Sequence, residues 1–254
     1  MKILSSMFIA LSTYSKIPVP QVEWSEENMR WSLCFFPLVG AVIAALMLVW
    51  LGVCDALEIG AFLRGAVCVG ISVLVSGGIH LDGYCDTSDA IASYGDREKR
   101  LEILRDTHTG AFAVIRCGLY YLLLAGALGE VSCGRAGWIA ALGFVLSRAL
   151  SGIGVVSLKG ARKEGFLQSF ADAAQAQTVR TALIGVAAAC AVAMICIAPG
   201  LGFAAVVGAG GCFYYYRAMS YKRFGGITGD LAGYFLCLAE LTVALIAAIG
   251  GKLL

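Results

Sequence analysis

Three aspartates, Asp82, Asp86 and Asp89, stand four and three residues apart in the stretch GGIHLDGYCDTSD, residues 77–89. On a helix, at 100° per residue, they lie within about 60° of one another, on one face. Carboxylates so placed repel each other unless a cation sits among them. Beside an apolar segment, the simplest use for such a group is to hold Mg²⁺ against a phosphate-bearing substrate. Asp106, in DTHTG at 106–110, is a candidate fourth ligand, whereas Asp96 reads as a surface charge or a helix cap. Both histidines of the chain lie in the same region: His80 two residues before Asp82 and His108 two residues after Asp106. A histidine beside a carboxylate suits a general base or a phosphate contact. His80 suits equally a buried, hydrogen-bonded place at the end of an apolar span.

Other polar groups are fewer. The turn FGGITGD at 224–230 precedes an apolar run, so the backbone N–H groups of Gly226, Thr228 and Gly229 could receive an anion. It lacks the spacing of a P-loop, and Asp230 could cap the following helix instead. Arg162 or Lys163 could contact phosphate, or their loop could be a linker facing lipid headgroups. Arg148 and Glu240 fall inside apolar runs, where an ionisable residue marks a site or a buried pair. None of the ten cysteines forms a Cys-x-x-Cys pair, so they read as small apolar side chains.

The elements that must position these groups are membrane helices. Of 254 residues, 59% are hydrophobic and 14% charged, against about 25% charged in an average soluble domain. Mean hydropathy is +0.83. The expectation is an all-α, polytopic integral membrane bundle forming a single domain over 1–254. A net charge of +2 gives no argument for nucleic acid. After an amphipathic entry over 1–33, about seven transmembrane spans are placed near 34–54, 61–79, 111–129, 137–157, 181–198, 201–216 and 232–250. The fifth and sixth are short enough to form a re-entrant hairpin instead. With all seven crossing and the N-terminus inside, fourteen Lys and Arg fall in cytoplasmic segments and three outside, a strong positive-inside bias. The 80–110, 158–180 and 217–231 loops then share the cytoplasmic face of a bacterial inner membrane.

Several ordered segments match one family. LSTYSKIPVP at 11–20 is near that family's "LTRIPVP", and GGIHLDGYCDTSD is near its "GGLHLDGLADTAD". FPLVG at 36–40, Asp96-Arg97, DTHTG, Ser147-Arg148 and FGGITGD complete the set. The chain resembles the cobalamin synthase family, the adenosylcobinamide-GDP ribazoletransferases, over nearly its whole length. It departs from the family at Lys159-Gly160-Ala161-Arg162, where "PYAR" is frequent, and at Cys85, where Ala is usual.

The resemblance implies a Mg²⁺-dependent membrane transferase. A corrinoid-GDP donor and α-ribazole, or its 5′-phosphate, would be its small-molecule substrates, and other late enzymes of cobalamin synthesis would be associates. Asp82, Asp86 and Asp89, with Asp106, would hold metal. His80 or an aspartate would take the proton of the attacking hydroxyl. Arg97, His108, Arg148, Arg162, Gly226, Thr228, Gly229, Asp230 and Glu240 would bind substrate. Two alternatives are a CDP-alcohol phosphatidyltransferase, which shares the Asp-Gly at 82–83 but not the later aspartate pattern, and a transporter.

Overall fold

The computed structural model describes residues 2–162, 169–170, 172 and 174–253; Lys163 lies outside them. It is built of helices: α1 (Lys2–Tyr14), α2 (Glu26–Met29), α3 (Phe36–Ala56), α4 (Ala61–Ser76), α5 (Ile79–Ala92), α6 (Arg97–Ile103), α7 (Ala111–Gly129), α8 (Arg135–Ser157), α9 (Ala176–Ile197), α10 (Pro199–Phe224) and α11 (Gly229–Gly251). Among the described residues the β contact is an isolated parallel bridge between Gly160 and Ile227.

Five helical segments are long and apolar enough to cross a membrane: Glu26–Ala56, Ala111–Gly129, Arg135–Ser157, Ala176–Ile197 and Gly229–Gly251. The protein is a polytopic helical membrane protein. Two expected spans differ from their placement. The 61–79 run ends at Ser76, because Gly77 and Gly78 take φ of +66° and +78°, a left-handed conformation that glycine adopts without steric cost. The chain bends there by 97° into α5. α4 alone is 16 residues, about 24 Å long; by length and composition the crossing segments among the described residues number five, or six if α4 and α5 together form one broken span. The expected short span 201–216 is the middle of a 26-residue helix, about 39 Å long but less apolar. It follows the 22-residue α9 through the single residue Ala198, so this pair has the length to cross twice.

The most apolar stretches of α8 and α11 are 72% and 67% buried, those of α7 and α9 only 28% and 22%. The first two are therefore the interior of the bundle, and the outer helices turn apolar faces such as Phe112, Leu119, Leu122 and Val192 outward. Backbones approach closely at small residues, the usual device where lipid offers no hydrophobic driving force. A side chain at Gly40 of α3 would strike the Phe144 carbonyl of α8. At the entry, Ser25 caps α2 and Ser6 of α1 donates to the Asn28 carbonyl at 2.6 Å. The Lys16 N–H then reaches the Val75 carbonyl at 2.8 Å. The N-terminal segment is thereby tied to the end of α4, beside the bend.

Candidate active site

Helix α5 carries the carboxylates, and its position follows from two glycines. A Cβ at Gly83 would lie 2.8 Å from the Asp230 backbone of α11, and one at Gly233 would lie 2.8 Å from the His80 carbonyl. Each helix thus lacks a side chain where the other crosses it, and the rings of Tyr84 and Tyr234 stack at 5.2 Å beside the crossing. The far end of α5 is held by three arginines. Arg116 donates to the Ser88 carbonyl at 3.3 Å, Arg223 to Ile91 at 3.2 Å and Arg100 to Ser93 at 3.3 Å. Cations at these last carbonyls complement the negative end of the helix dipole.

The turn before α11 is fixed by pairing across the chain. The Ala161 N–H donates to the Ile227 carbonyl at 2.8 Å, and the Ile227 N–H to the Lys159 carbonyl at 2.9 Å. Gly226 leaves room for this, since a Cβ there would collide with the 159–161 backbone. Arg97 donates to the Ala161 carbonyl at 3.3 Å, and its guanidinium lies where a side chain at Gly225 would project. Arg162 donates to the Leu101 carbonyl at 2.6 Å. Thr228, not Asp230, caps α11: its hydroxyl accepts from the Leu231 N–H at 3.3 Å. The same hydroxyl donates to the Asp230 carboxylate at 3.3 Å.

These three stretches line a half-open cavity of about 260 Å³, whose polar groups come from His80, Asp82, Arg162, Thr228 and Asp230, with Gly229 between the last two. Tyr14, Leu33, Phe36 and Val155 add rings and aliphatic surface to its lining, with the Ser151 hydroxyl a further polar group. The Tyr14 and Phe36 rings lie 4.4 Å apart, and Phe36 is 5.4 Å from the His80 ring. The His80 Nδ1 is buried without a hydrogen-bond partner. The apolar side was not foreseen as part of a site. Its residues lie in apolar runs or in the LSTYSKIPVP segment, and no spacing distinguishes a cavity lining from a helix contact.

Asp86, one turn beyond Asp82, is half-buried. Burial, then the charges of Asp82, Asp230 and Asp89, push its carboxyl up to about 7. Burial, then Arg105, lowers the Arg162 guanidinium below its usual range, with Asp230 opposing that. Among the described residues, no three His, Cys, Asp or Glu side chains are close enough to hold a metal by themselves. Mg²⁺ ordinarily takes one or two carboxylates plus substrate phosphate oxygens. Asp82 and Asp86, under mutual repulsion and facing Asp230, fit that smaller requirement.

Other expected site residues lie elsewhere. Both Asp89 oxygens accept from the start of α7, from Gly110 N–H at 2.7 Å and Ala113 N–H at 2.8 Å. Asp89 is in this structure an anionic cap of that helix, a role its position on the carboxylate stripe did not reveal. Asp106 accepts from the His108 N–H at 3.0 Å and contacts its ring at 2.7 Å. Those bonds hold its carboxyl below the usual range, but both side chains are exposed and neither lines the cavity. Arg148 and Glu240 pair with each other at 2.5 Å, with side chains 1% and 2% exposed. Arg148 also donates to the Phe144 carbonyl at 2.8 Å. They close a small pocket behind His80 and do not line the large cavity. The low dielectric that makes each charge costly alone holds them together.

A family model described as cobalamin-5-phosphate synthase matches residues 6–248. Among curated proteins, the adenosylcobinamide-GDP ribazoletransferase of Lachnoclostridium phytofermentans is 45% identical over 249 residues, covering 98% of this chain and 95% of that protein. The protein of the same name from Pseudomonas syringae pv. syringae is 34% identical, covering 95% of this chain and 98% of its own. That from Geotalea daltonii is 33% identical, covering 96% and 98%. No solved structure matches the chain. Carrying the family's pattern from end to end and the cavity it builds, this chain belongs to the cobalamin-5-phosphate synthase family.

Proposed function

We propose that the protein joins adenosylcobinamide-GDP to α-ribazole, or to its 5′-phosphate, releasing GMP and forming adenosylcobalamin or its 5′-phosphate. The observation that carries this reading is the cavity in which Asp82 and Asp230 meet Arg162 below an apolar aromatic wall. The ribose hydroxyl oxygen forms a bond to the phosphorus that carries the aminopropanol arm. The anhydride P–O bond to GMP breaks, and its electron pair leaves with GMP. The hydroxyl proton passes to a base on α5, His80 or an aspartate; burial, then the charge of Arg148, holds the His80 imidazole down to about 3, which favours a carboxylate for this step.

Arg162 and the N–H groups that open α11 face the charge that develops on the phosphate oxygens. Asp82 and Asp86 are the residues that would hold Mg²⁺. When bound, the ion would supply charge neutralisation at the phosphates and ease departure of the leaving group. Arg97 and Gly226 serve by fixing the 159–162 segment against the 225–230 turn. We place the cavity on the cytoplasmic side of the bacterial cell membrane, where the positive-inside bias puts its loops.

The test is GMP release and cobalamin formation by purified protein in liposomes, with both substrates and either Mg²⁺ or EDTA. Metal-dependent turnover, abolished in Asp82→Ala, is expected. Folded protein without turnover would overturn the reading and direct the assay to CDP-activated donors.

A further inference from the structure

Resting on the ribazoletransferase reading, we propose that the apolar wall of the cavity seats the planar base of the acceptor, and that the corrinoid remains outside, presenting only its phosphate arm. The first argument is size. A cavity of about 260 Å³ is at or below the roughly 300–1,000 Å³ that houses drug-sized ligands. A nucleoside fits such a space, whereas a corrinoid macrocycle cannot be contained in it and, the pocket being half open, would lie at its mouth.

The second argument is chemistry. Tyr14, Leu33, Phe36 and Val155 offer rings and aliphatic surface. Leu33 and Val155 belong to a separate apolar cluster against which Tyr14 packs. Two nucleosides compete for the place by size, the acceptor and the guanosine end of the donor. Guanine carries donors and acceptors along two edges, more than the Tyr14 and Ser151 hydroxyls could satisfy, and each group that loses water without gaining a partner costs about 1–3 kcal/mol. The dimethylbenzimidazole of ribazole has an apolar edge and a π face, so it gains by stacking.

The third argument is connectivity. His80 belongs to both sides of the cavity: its ring lies 5.4 Å from Phe36, and it is two residues from Asp82. A base seated on the aromatic wall therefore leaves its ribose near His80 and the carboxylates, where the attacking hydroxyl is needed. The donor's phosphates then approach from the Arg162 and Thr228 side.

The experiment uses the full chain in lipid nanodiscs. Calorimetric titration with α-ribazole in the absence of donor is paired with steady-state kinetics. Phe36→Ala removes a ring from the wall, and Val155→Phe fills the space beside it. Either should weaken α-ribazole binding and raise its KM about tenfold or more, the scale of one lost base–aromatic contact. The KM for the corrinoid-GDP donor should stay unchanged in both. A donor KM that rises while ribazole binding is untouched would place guanosine on the wall and overturn the inference, as would wild-type protein that binds GMP and not α-ribazole. Loss of all wild-type turnover with ribazole binding still dependent on Phe36 would instead overturn the reaction assigned above and leave this site standing.

Discussion

Replacing Asp86 by Asn tests whether a half-buried carboxylate beside Asp82, Asp230 and Asp89 is held at a cost that a cation would relieve. In the unfolded chain Asp86 would ionise near 4, and in the fold it does so at about 7. The sign follows: the fold holds the proton more tightly than the unfolded chain. Its stability is therefore highest below pH 4 and falls as pH rises towards 7, after which the loss is constant. Taken in full, three units correspond to about 4 kcal/mol. Asp86 is only half-buried, and solvent screening reduces this to about 1–2 kcal/mol.

With EDTA at pH 8, Asp86→Asn should therefore melt about 2–8 °C above wild type. The gap should shrink towards pH 4 and should narrow on adding Mg²⁺, which favours only the wild-type carboxylate. Transfer activity should be lost. The assay is thermal unfolding in detergent, followed by a thiol-reactive dye that reports the buried cysteines, over a pH series with and without metal. An Asn variant no more stable than wild type at pH 8, or equal stabilisation of both by Mg²⁺, would refute the argument that burial, and then the neighbouring carboxylates, penalise the charged form at this position.

Other perturbations separate architecture from chemistry. Gly83→Ala should push α5 off α11, costing about 1–3 kcal/mol and most of the turnover, read from melting temperature and GMP release. Asp89→Asn should weaken the cap of α7 by about 1 kcal/mol while the Mg²⁺ concentration for half-maximal turnover stays unchanged; a large rise would return Asp89 to the metal. Glu240→Leu or Arg148→Met alone should cost about 3–5 kcal/mol, and the two together far less. The double variant should keep its KM for both substrates, since the pair does not line the large cavity.

Much of this protein is written locally. Apolar run lengths mark the crossing helices, because a backbone in lipid must satisfy its own hydrogen bonds within each segment. The 3.6-residue period places Asp82, Asp86 and Asp89 on one stripe of α5. The adjacent glycines 77 and 78 mark a break, though the sequence alone led to a longer second span running through it. What is not local stayed hidden. Asp89 carries the same side chain and spacing as its neighbours, yet the N-terminus of α7, twenty-one residues on, takes both its oxygens. Arg148 and Glu240, ninety-two residues apart, read equally as a site or as a pair until α8 and α11 packed them together. The bridge from Gly160 to Ile227 sets Arg162 beside the Thr228 turn, and the aromatic wall gathers residues from the entry helix, the start of α3 and the end of α8. Periodicity reports which face of one helix is apolar or charged. Which faces meet depends on close approach at glycines such as Gly83 and Gly233, and the resulting cavity exists only once those helices have crossed.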